Sequence, residues 1–283
     1  MIVPARLIAA CSNKPKYEAW LAHLPDAVSD LERRWSLALG PAFDNARSAW
    51  AAPAKLADGT EAVLKLGMPH TECEHEIDGL RFWNGEPTVR LLAADGELGA
   101  MLLERCDPGI ALWTQTAPEQ DLVLAGVLKR LGRMPTDRHP FRHLSVMLAR
   151  WSKRTLADAA RWPDSGLVRD GLRLFAELPG TAPRDVLLAT DLHAGNVLRA
   201  QREPWLAIDP RPYVGDPAYD ATQHLLNRVK LHSDPDVTIL RFAEIADLDP
   251  ERVRLWTFAR AAAQPRDDWS GDSLVELARA IAP

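Results

Sequence analysis

One stretch constrains this chain more than any other, Val186 to Asp220, VLLATDLHAGNVLRAQREPWLAIDPRPYVGDPAYD. The apolar run Val186-Leu187-Leu188-Ala189 breaks at Thr190-Asp191, and a polar loop runs from Asp191 to Asn196. Val197–Ala200 and Trp205–Ile208 read as two short strands around Gln201-Arg202-Glu203-Pro204, a turn of a length that commonly closes hairpins. If Ala200 pairs with Trp205, the ladder pairs Val197 with Ile208. The next rung then sets Asn196 opposite Asp209, with Cα atoms about 4.5–5.5 Å apart. An amide oxygen and a carboxylate are thereby expected at the open end of the hairpin, with Asp191 at the far end of the same loop.

That set suits a hard cation and a proton acceptor. Mg²⁺ takes one or two protein carboxylates, waters and substrate phosphates rather than an all-protein cage. Asp191 and Asn196 stand in the D-x-x-x-x-N spacing in which a kinase Asp accepts a hydroxyl proton and the Asn holds metal. Asp209 ends the following strand, where a second metal-binding Asp belongs. The spacing alone is common, and a surface hairpin with capping Asp and Asn is the plain alternative. The strand–loop–hairpin–Asp order is what carries the phosphoryl-transfer reading.

Other classes recede on bulk properties. The 283 residues suffice for one large or two modest domains, and 47% hydrophobic with 26% charged residues is the composition of a soluble globular protein. A formal net charge of −5 argues against nucleic-acid binding. No uncharged apolar run approaches the roughly 18 residues of a membrane span. Arg6 interrupts the first apolar run, which is not that of a signal peptide. Cys11, Cys73 and Cys106 are scattered and odd in number, so free thiols in a reducing cytoplasm are expected.

Upstream, Tyr17–Leu39 carries apolar residues at helical spacing, with Pro25 as an expected kink and Gly40-Pro41 as its stop. Ser48–Leu66 reads as a hairpin about Asp58-Gly59. Lys65 lies in its second strand, either as an edge lysine that blocks aggregation or as the lysine that pairs with ATP phosphates. A helix is expected over Thr71–Asn84, and of its glutamates Glu76 is placed mid-helix to hold Lys65 extended. His70, Cys73 and His75 are too few for a closed zinc site. Val89–Ala93 and Gly99–Leu103 read as strands. Glu104-Arg105-Cys106-Asp107-Pro108-Gly109 then forms a polar linker, a plain turn or a segment offering backbone groups to an adenine edge. Beyond it the chain is mainly helical, over Leu122–Leu131, Leu144–Leu156, Leu167–Leu178, Pro217–Leu231, Val237–Ile245, Glu251–Ala263 and Asp272–Ala282. Asp216 is the expected N-cap of the helix at Pro217.

ATDLHAGNVL followed by LAIDPRPYVGDPAYD resembles the aminoglycoside phosphotransferases, in particular the streptomycin 6-phosphotransferase and hydroxyurea phosphotransferase group. The resemblance extends to DGTEAVLKL, HEIDGLRFWNG and VRLLAADGELGAMLLERCDPG, and so to most of the chain. It implies Asp191 as catalytic base, Asn196 and Asp209 as Mg²⁺ ligands, and Lys65 with Glu76 as the phosphate-positioning pair. It implies Glu104 to Cys106 as the adenine-contacting linker and Asp220 as a brace for the catalytic loop. Two departures stand out. Ala189-Thr190 replaces the His-Gly that the wider superfamily has before the Asp. Asp44-Asn45-Ala46-Arg47-Ser48-Ala49 replaces a Gly-Gly-Ser phosphate loop, in which Ser48 can still donate to a phosphate.

The expectation is an α+β, two-lobe protein-kinase-like fold: a sheet-containing N-terminal nucleotide-binding lobe over residues 1–105, and a larger, mainly helical catalytic and acceptor-binding lobe over 106–283. ATP and Mg²⁺ would bind between them and a small-molecule hydroxyl, on streptomycin or hydroxyurea, would accept the phosphoryl group. Rival readings are a metabolite kinase of the same fold, a non-catalytic nucleotide-binding protein, and a metal-dependent hydrolase using Asp191, His193 and Asp209. For a cationic acceptor, Asp216, Asp267 and Asp268 are the candidate partners. The larger lobe is nearly neutral, with 23 basic and 24 acidic residues, and oligomeric state is not legible.

Overall fold

The structure, a computed structural model, describes residues 2–44, 48–69, 74–269 and 272–283. The chain forms two compact units: Met1–Ile110 with Leu198–Ile208, and Ala111–Val197 with Asp209–Pro283.

The first unit opens with helices α1 (Ala5–Cys11) and α2 (Pro15–Trp35). Its antiparallel five-stranded sheet has the order β1-β2-β3-β5-β4, from β1 (Ala38–Leu39), β2 (Ala49–Lys55), β3 (Glu61–Gly67), β4 (Leu91–Asp95) and β5 (Ala100–Glu104). Helix α3 (Glu76–Trp83) lies between β3 and β4 in sequence. Asp58-Gly59 makes the expected turn: Gly59 takes φ +90° and Asp58 Oδ1 accepts the Thr60 N–H at 2.9 Å. Strand alternation then divides the sheet's two faces. Ala62, Leu64 and Leu66 join Leu7, Leu24, Val28, Leu31 and Trp50 in one core. Val63 goes to the other side, with Leu80, Val89, Met101 and Leu103.

Helix α2 ends earlier than the sequence pattern predicts. Ser36 adopts φ 52° and donates its N–H to the Glu32 carbonyl, after which the chain enters β1. Pro25 does not break the helix: it sits on the exposed face, where no packed neighbour opposes the ring.

The hairpin of β7 (Val197–Arg199) and β8 (Trp205–Ala207) groups, from Leu198 on, with the first unit rather than with the helical one. The cause is a second set of backbone bonds. Ala207 donates to the Pro87 carbonyl at 2.9 Å and Val89 donates to the Ala207 carbonyl at 3.1 Å. The division expected between residues 105 and 106 therefore falls at Ile110, and the hairpin returns to the sheet-containing unit.

The second unit holds helices α4 (Ala117–Leu131), α5 (Leu144–Ala157), α6 (Ser165–Glu177), α7 (Pro217–Leu226), α8 (Val229–Ser233), α9 (Pro235–Ala246), α10 (Pro250–Ala263) and α11 (Asp272–Ala280). A two-stranded antiparallel ladder of β6 (Val186–Leu188) and β9 (Tyr213–Gly215) completes it. The helix predicted over Pro217–Leu231 is two helices, because Asn227 caps α7. Helix α10 is the centre of this unit, packed on α6, α7, α9 and α11, with Val253, Trp256, Phe258 and Ala259 fully buried. Its closest neighbour meets it at Gly171 of α6, where an added Cβ would stand 2.8 Å from the Ala263 Cβ. Among the described residues no helix is long and apolar enough to cross a membrane.

Candidate functional site

Asp191 sits at the end of β6 in a loop fixed from below. Asp220, in the first turn of α7, is buried and accepts the Ala189 N–H at 2.7 Å and the Thr190 N–H at 2.8 Å, one on each oxygen. Those two donors let Thr190 take a left-handed φ of 50°, which turns the chain sharply into Asp191. The Thr190 hydroxyl donates to the Arg211 carbonyl at 2.6 Å, and Arg211 N–H donates to the Ala189 carbonyl at 2.8 Å. From above, the Asn196 amide donates to the Asp191 carbonyl at 3.0 Å and closes the loop. Thr190, the residue directly before this Asp, is thus held by an anchor of its own.

Burial pushes the Asp220 carboxyl up to about 6, against the pull of the two N–H donors and the Arg260 guanidinium. Arg260 is itself buried. It donates to the Thr222 hydroxyl at 2.7 Å and to Gln223 Oε1, and lies over the Tyr219 and Trp151 rings.

Around the Asp191 carboxylate the structure sets one cation and one imidazole. Arg211 Nη2 stands 3.1 Å from Oδ2, and His193 Nε2 lies 3.9 Å from Oδ1, beyond hydrogen-bond length. His193 Nδ1 accepts the Gly195 N–H at 3.0 Å, so that nitrogen carries no proton and the imidazole is the neutral Nε2–H tautomer. Burial lowers the His193 pKa; Asp191 and Asp209 raise it, and Arg211 lowers it further. A histidine whose Nδ1 is spent inside its own loop is a poor general base, which weakens the hydrolase reading.

Asn196 ends a 3₁₀ turn (Ala194–Asn196), and Asp209 lies past β8 at φ 53°. The strands stop at Val197 and Ala207, so the ladder does not run on to the Asn196–Asp209 rung expected from the sequence. As donors the two suit Mg²⁺. With Nδ2 committed to Asp191, the Asn196 oxygen is the atom left to ligate, and one carboxylate with one amide oxygen is the sparse set Mg²⁺ accepts beside phosphates. Among the described residues, no three His, Cys, Asp or Glu side chains group as a metal cage.

In the first unit Lys65 Nζ and Glu76 Oε1 meet at 2.5 Å, both nearly buried. Lys65 is on β3, flanked by β2 and β5, so it is no edge lysine. Ser48 is half-buried at the start of β2, with its carbonyl accepting the Met68 N–H at 2.9 Å. Residues 45–47 of its loop, and Glu72, His70 and Cys73, lie outside the described residues. The Glu104 carboxylate is taken by Arg202, at 2.8 Å on each oxygen. The Cys106 thiol packs against the cluster of Leu103 and Leu206, and burial raises its pKa to about 12. The Arg105 guanidinium between them turns to the Glu61 carboxylate at 2.5 Å.

Two site residues escaped the sequence reading. Arg211 was signalled only by a positive charge two residues after Asp209, and Arg202 by nothing, because its partner is far away in sequence. A third reading is corrected. Asp216 is fully buried: it caps α7 through the Ala218 N–H at 3.0 Å and accepts from Arg252 Nε and, at 2.6 Å, from Trp256 Nε1. Asp216 is therefore closed to any acceptor.

A sheet-containing unit with a buried Lys–Glu pair, and a helical unit carrying a braced D-x-x-x-x-N loop, define a protein-kinase-like small-molecule phosphotransferase. The fold matches that of a choline kinase from Streptococcus pneumoniae with a TM-score of 0.62, over 92% of this chain and 97% of that one, at 12% identity. The chain belongs to the aminoglycoside/hydroxyurea antibiotic resistance kinase family, whose sequence model matches residues 34–267. It is 39% identical to the streptomycin 6-kinase of Streptomyces glaucescens over 86% of this chain and 82% of that one. It is 38% identical to the hydroxyurea phosphotransferase of Kitasatospora aureofaciens over 84% of this chain and 71% of that one.

Proposed function

We propose that this phosphotransferase moves the γ-phosphoryl group of ATP, with Mg²⁺, to a hydroxyl of an aminoglycoside, streptomycin first among them, in the cytoplasm. The observation that carries the reading is the loop itself: Asp220 accepts the Ala189 and Thr190 N–H groups from below, the Asn196 amide donates to the Asp191 carbonyl from above, and Asp191 is held at a fixed point. The Asp191 carboxylate orients the acceptor hydroxyl and takes its proton, with Arg211 steadying Oδ2. Lys65, held extended by Glu76, pairs with phosphate oxygens. Asn196 Oδ1 and the Asp209 carboxylate are the metal ligands. Bound Mg²⁺ supplies neutralisation of the charge on the transferring phosphates. The backbone of Glu104–Cys106 meets the adenine edge, and Ser48 is a side-chain donor to phosphate.

Asp267 and Asp268 are exposed near the C-terminus, where carboxylates would match the guanidinium groups of a cationic acceptor. Hydroxyurea is the second reading, favoured by a relative of nearly equal identity. A panel of ATP-consumption assays on streptomycin, other aminoglycosides, hydroxyurea and simple alcohols tests both. Turnover on streptomycin above every other acceptor supports the first reading. Turnover on hydroxyurea alone replaces it, and turnover on none removes the antibiotic as substrate.

A further inference from the structure

The linker after β5 is splinted by the β7–β8 hairpin at three successive levels. At the tip, Arg202 Nε and Nη2 each stand 2.8 Å from one Glu104 oxygen, and Nη2 also donates to the Thr88 carbonyl at 3.0 Å. Gln201 Nε2 donates to the Asp107 carboxylate at 2.6 Å. Nearer the root, Arg199 accepts the Gly109 N–H at 3.1 Å and donates to the Ile110 carbonyl at 2.9 Å. Glu104 is tied a second way: its Oε2 accepts the Arg90 N–H at 3.0 Å, and its own N–H donates to the Arg90 carbonyl at 2.9 Å. Gly85, at φ +83°, keeps the approach clear, since a Cβ there would stand 2.7 Å from Arg90 Cγ and 3.5 Å from Arg202 Nη2.

The fork is specific to arginine. Two parallel N–H donors match a carboxylate in a way a lysine ammonium cannot, and the side chains are only 21% and 18% exposed. Burial raises the Glu104 pKa, but the Arg202 and Arg90 donors outweigh it and the carboxyl is held below its usual range. The fork therefore stays charged at neutral pH. A backbone edge that reads a flat base is effective only when it is already rigid before the ligand arrives.

We propose that Arg202 is a positioning residue for the nucleotide base: its bidentate hold on Glu104 fixes the backbone of residues 104–106 that the adenine edge meets. This rests on the reading of ATP as donor at that linker. Arg202 touches no reacting atom and acts through Glu104.

Calorimetric titration of the wild type, Arg202→Ala and Arg202→Lys with Mg·ATP and with Mg·tripolyphosphate, which lacks the base, tests it. Arg202→Ala should weaken ATP about tenfold, the scale of one charge-assisted hydrogen bond, and leave tripolyphosphate within about twofold. Arg202→Lys should recover less than half of that loss on a logarithmic scale. ATP affinity within about twofold of wild type in the Ala variant, or an equal fall for both ligands, overturns the proposal. If Arg202→Ala fails to fold by its thermal transition, Arg202→Lys is judged on the same ratio. A wild type that binds neither ligand overturns the donor reading instead. Lys65→Met, expected to weaken both ligands together, marks that case off from loss of the base contact.

Discussion

At the scale of single residues, three buried ionisable groups govern the site, Asp220, Lys65 and Glu76. Asp220 titrates at about 6 when folded, above the 3.8 of an unperturbed aspartate. A raised carboxyl pKa stabilises the fold below the unfolded value, and that contribution is lost as pH rises through the folded one. Relative to Asp220→Asn, the wild type should therefore lose on the order of 3 kcal/mol between about pH 4 and about pH 7, read by denaturant titration. The activity runs the other way. Protonated Asp220 has one acceptor oxygen fewer for the Ala189 and Thr190 donors, so kcat should fall as pH drops through about 6. A flat kcat over that range would remove the brace. Lys65 and Glu76 are 7% and 4% exposed and meet at 2.5 Å, so removing either takes the opposite charge away from a buried one. Lys65→Ala should cost about 3–5 kcal/mol of stability, well beyond the effect on activity alone that a purely functional lysine would give. Lys65→Met with Glu76→Gln should recover most of the stability and none of the ATP turnover. Recovery of turnover in the double variant would refute the phosphate-binding role.

At the scale of elements, Asp216 fastens α7 to α10 through the Ala218 N–H, the Arg252 guanidinium and the Trp256 indole. Asp216→Ala leaves a part-buried arginine and a buried indole N–H without that acceptor, and should lower unfolding free energy by about 3–5 kcal/mol, against about 1 kcal/mol for loss of a cap alone. Chemical denaturation separates the two. The sequence showed the cap because Asp-Pro at a helix start is a local signal. It did not show Arg252 and Trp256, which approach only once α10 packs. The same division holds elsewhere. The Asp58-Gly59 hairpin, the Thr71–Asn84 helix from Glu76 onward, and the β7–β8 strands were legible because turn chemistry and periodicity are local. The end of α2 was not, because Ser36 carries no Gly or Pro signal and takes its left-handed φ where the chain turns into β1.

At the scale of the whole molecule, the kinase-like architecture was legible from one stretch, since the order strand, D-x-x-x-x-N loop, hairpin and Asp occurs with few folds. The allegiance of the hairpin was not. It depends on bonds from Ala207 to Pro87 and Val89, and from Arg202 to Glu104, between residues about a hundred positions apart that share no local signal. If Asn196 and Asp209 share one Mg²⁺, Asn196→Ala and Asp209→Ala should each raise the Mg²⁺ concentration for half-maximal activity by about tenfold or more. Unchanged metal dependence in both would dissolve the shared site. Everything proposed for the molecule turns on phosphoryl transfer to the acceptor with Asp191 as the base. The most direct measurement is the mass of streptomycin after incubation with ATP, Mg²⁺ and either the wild type or Asp191→Ala. Streptomycin should gain one phosphate with the wild type, at a rate at least about a hundredfold lower with the variant, whose thermal stability should be unchanged. Equal rates of phosphorylated product from the two proteins would contradict Asp191 as the base.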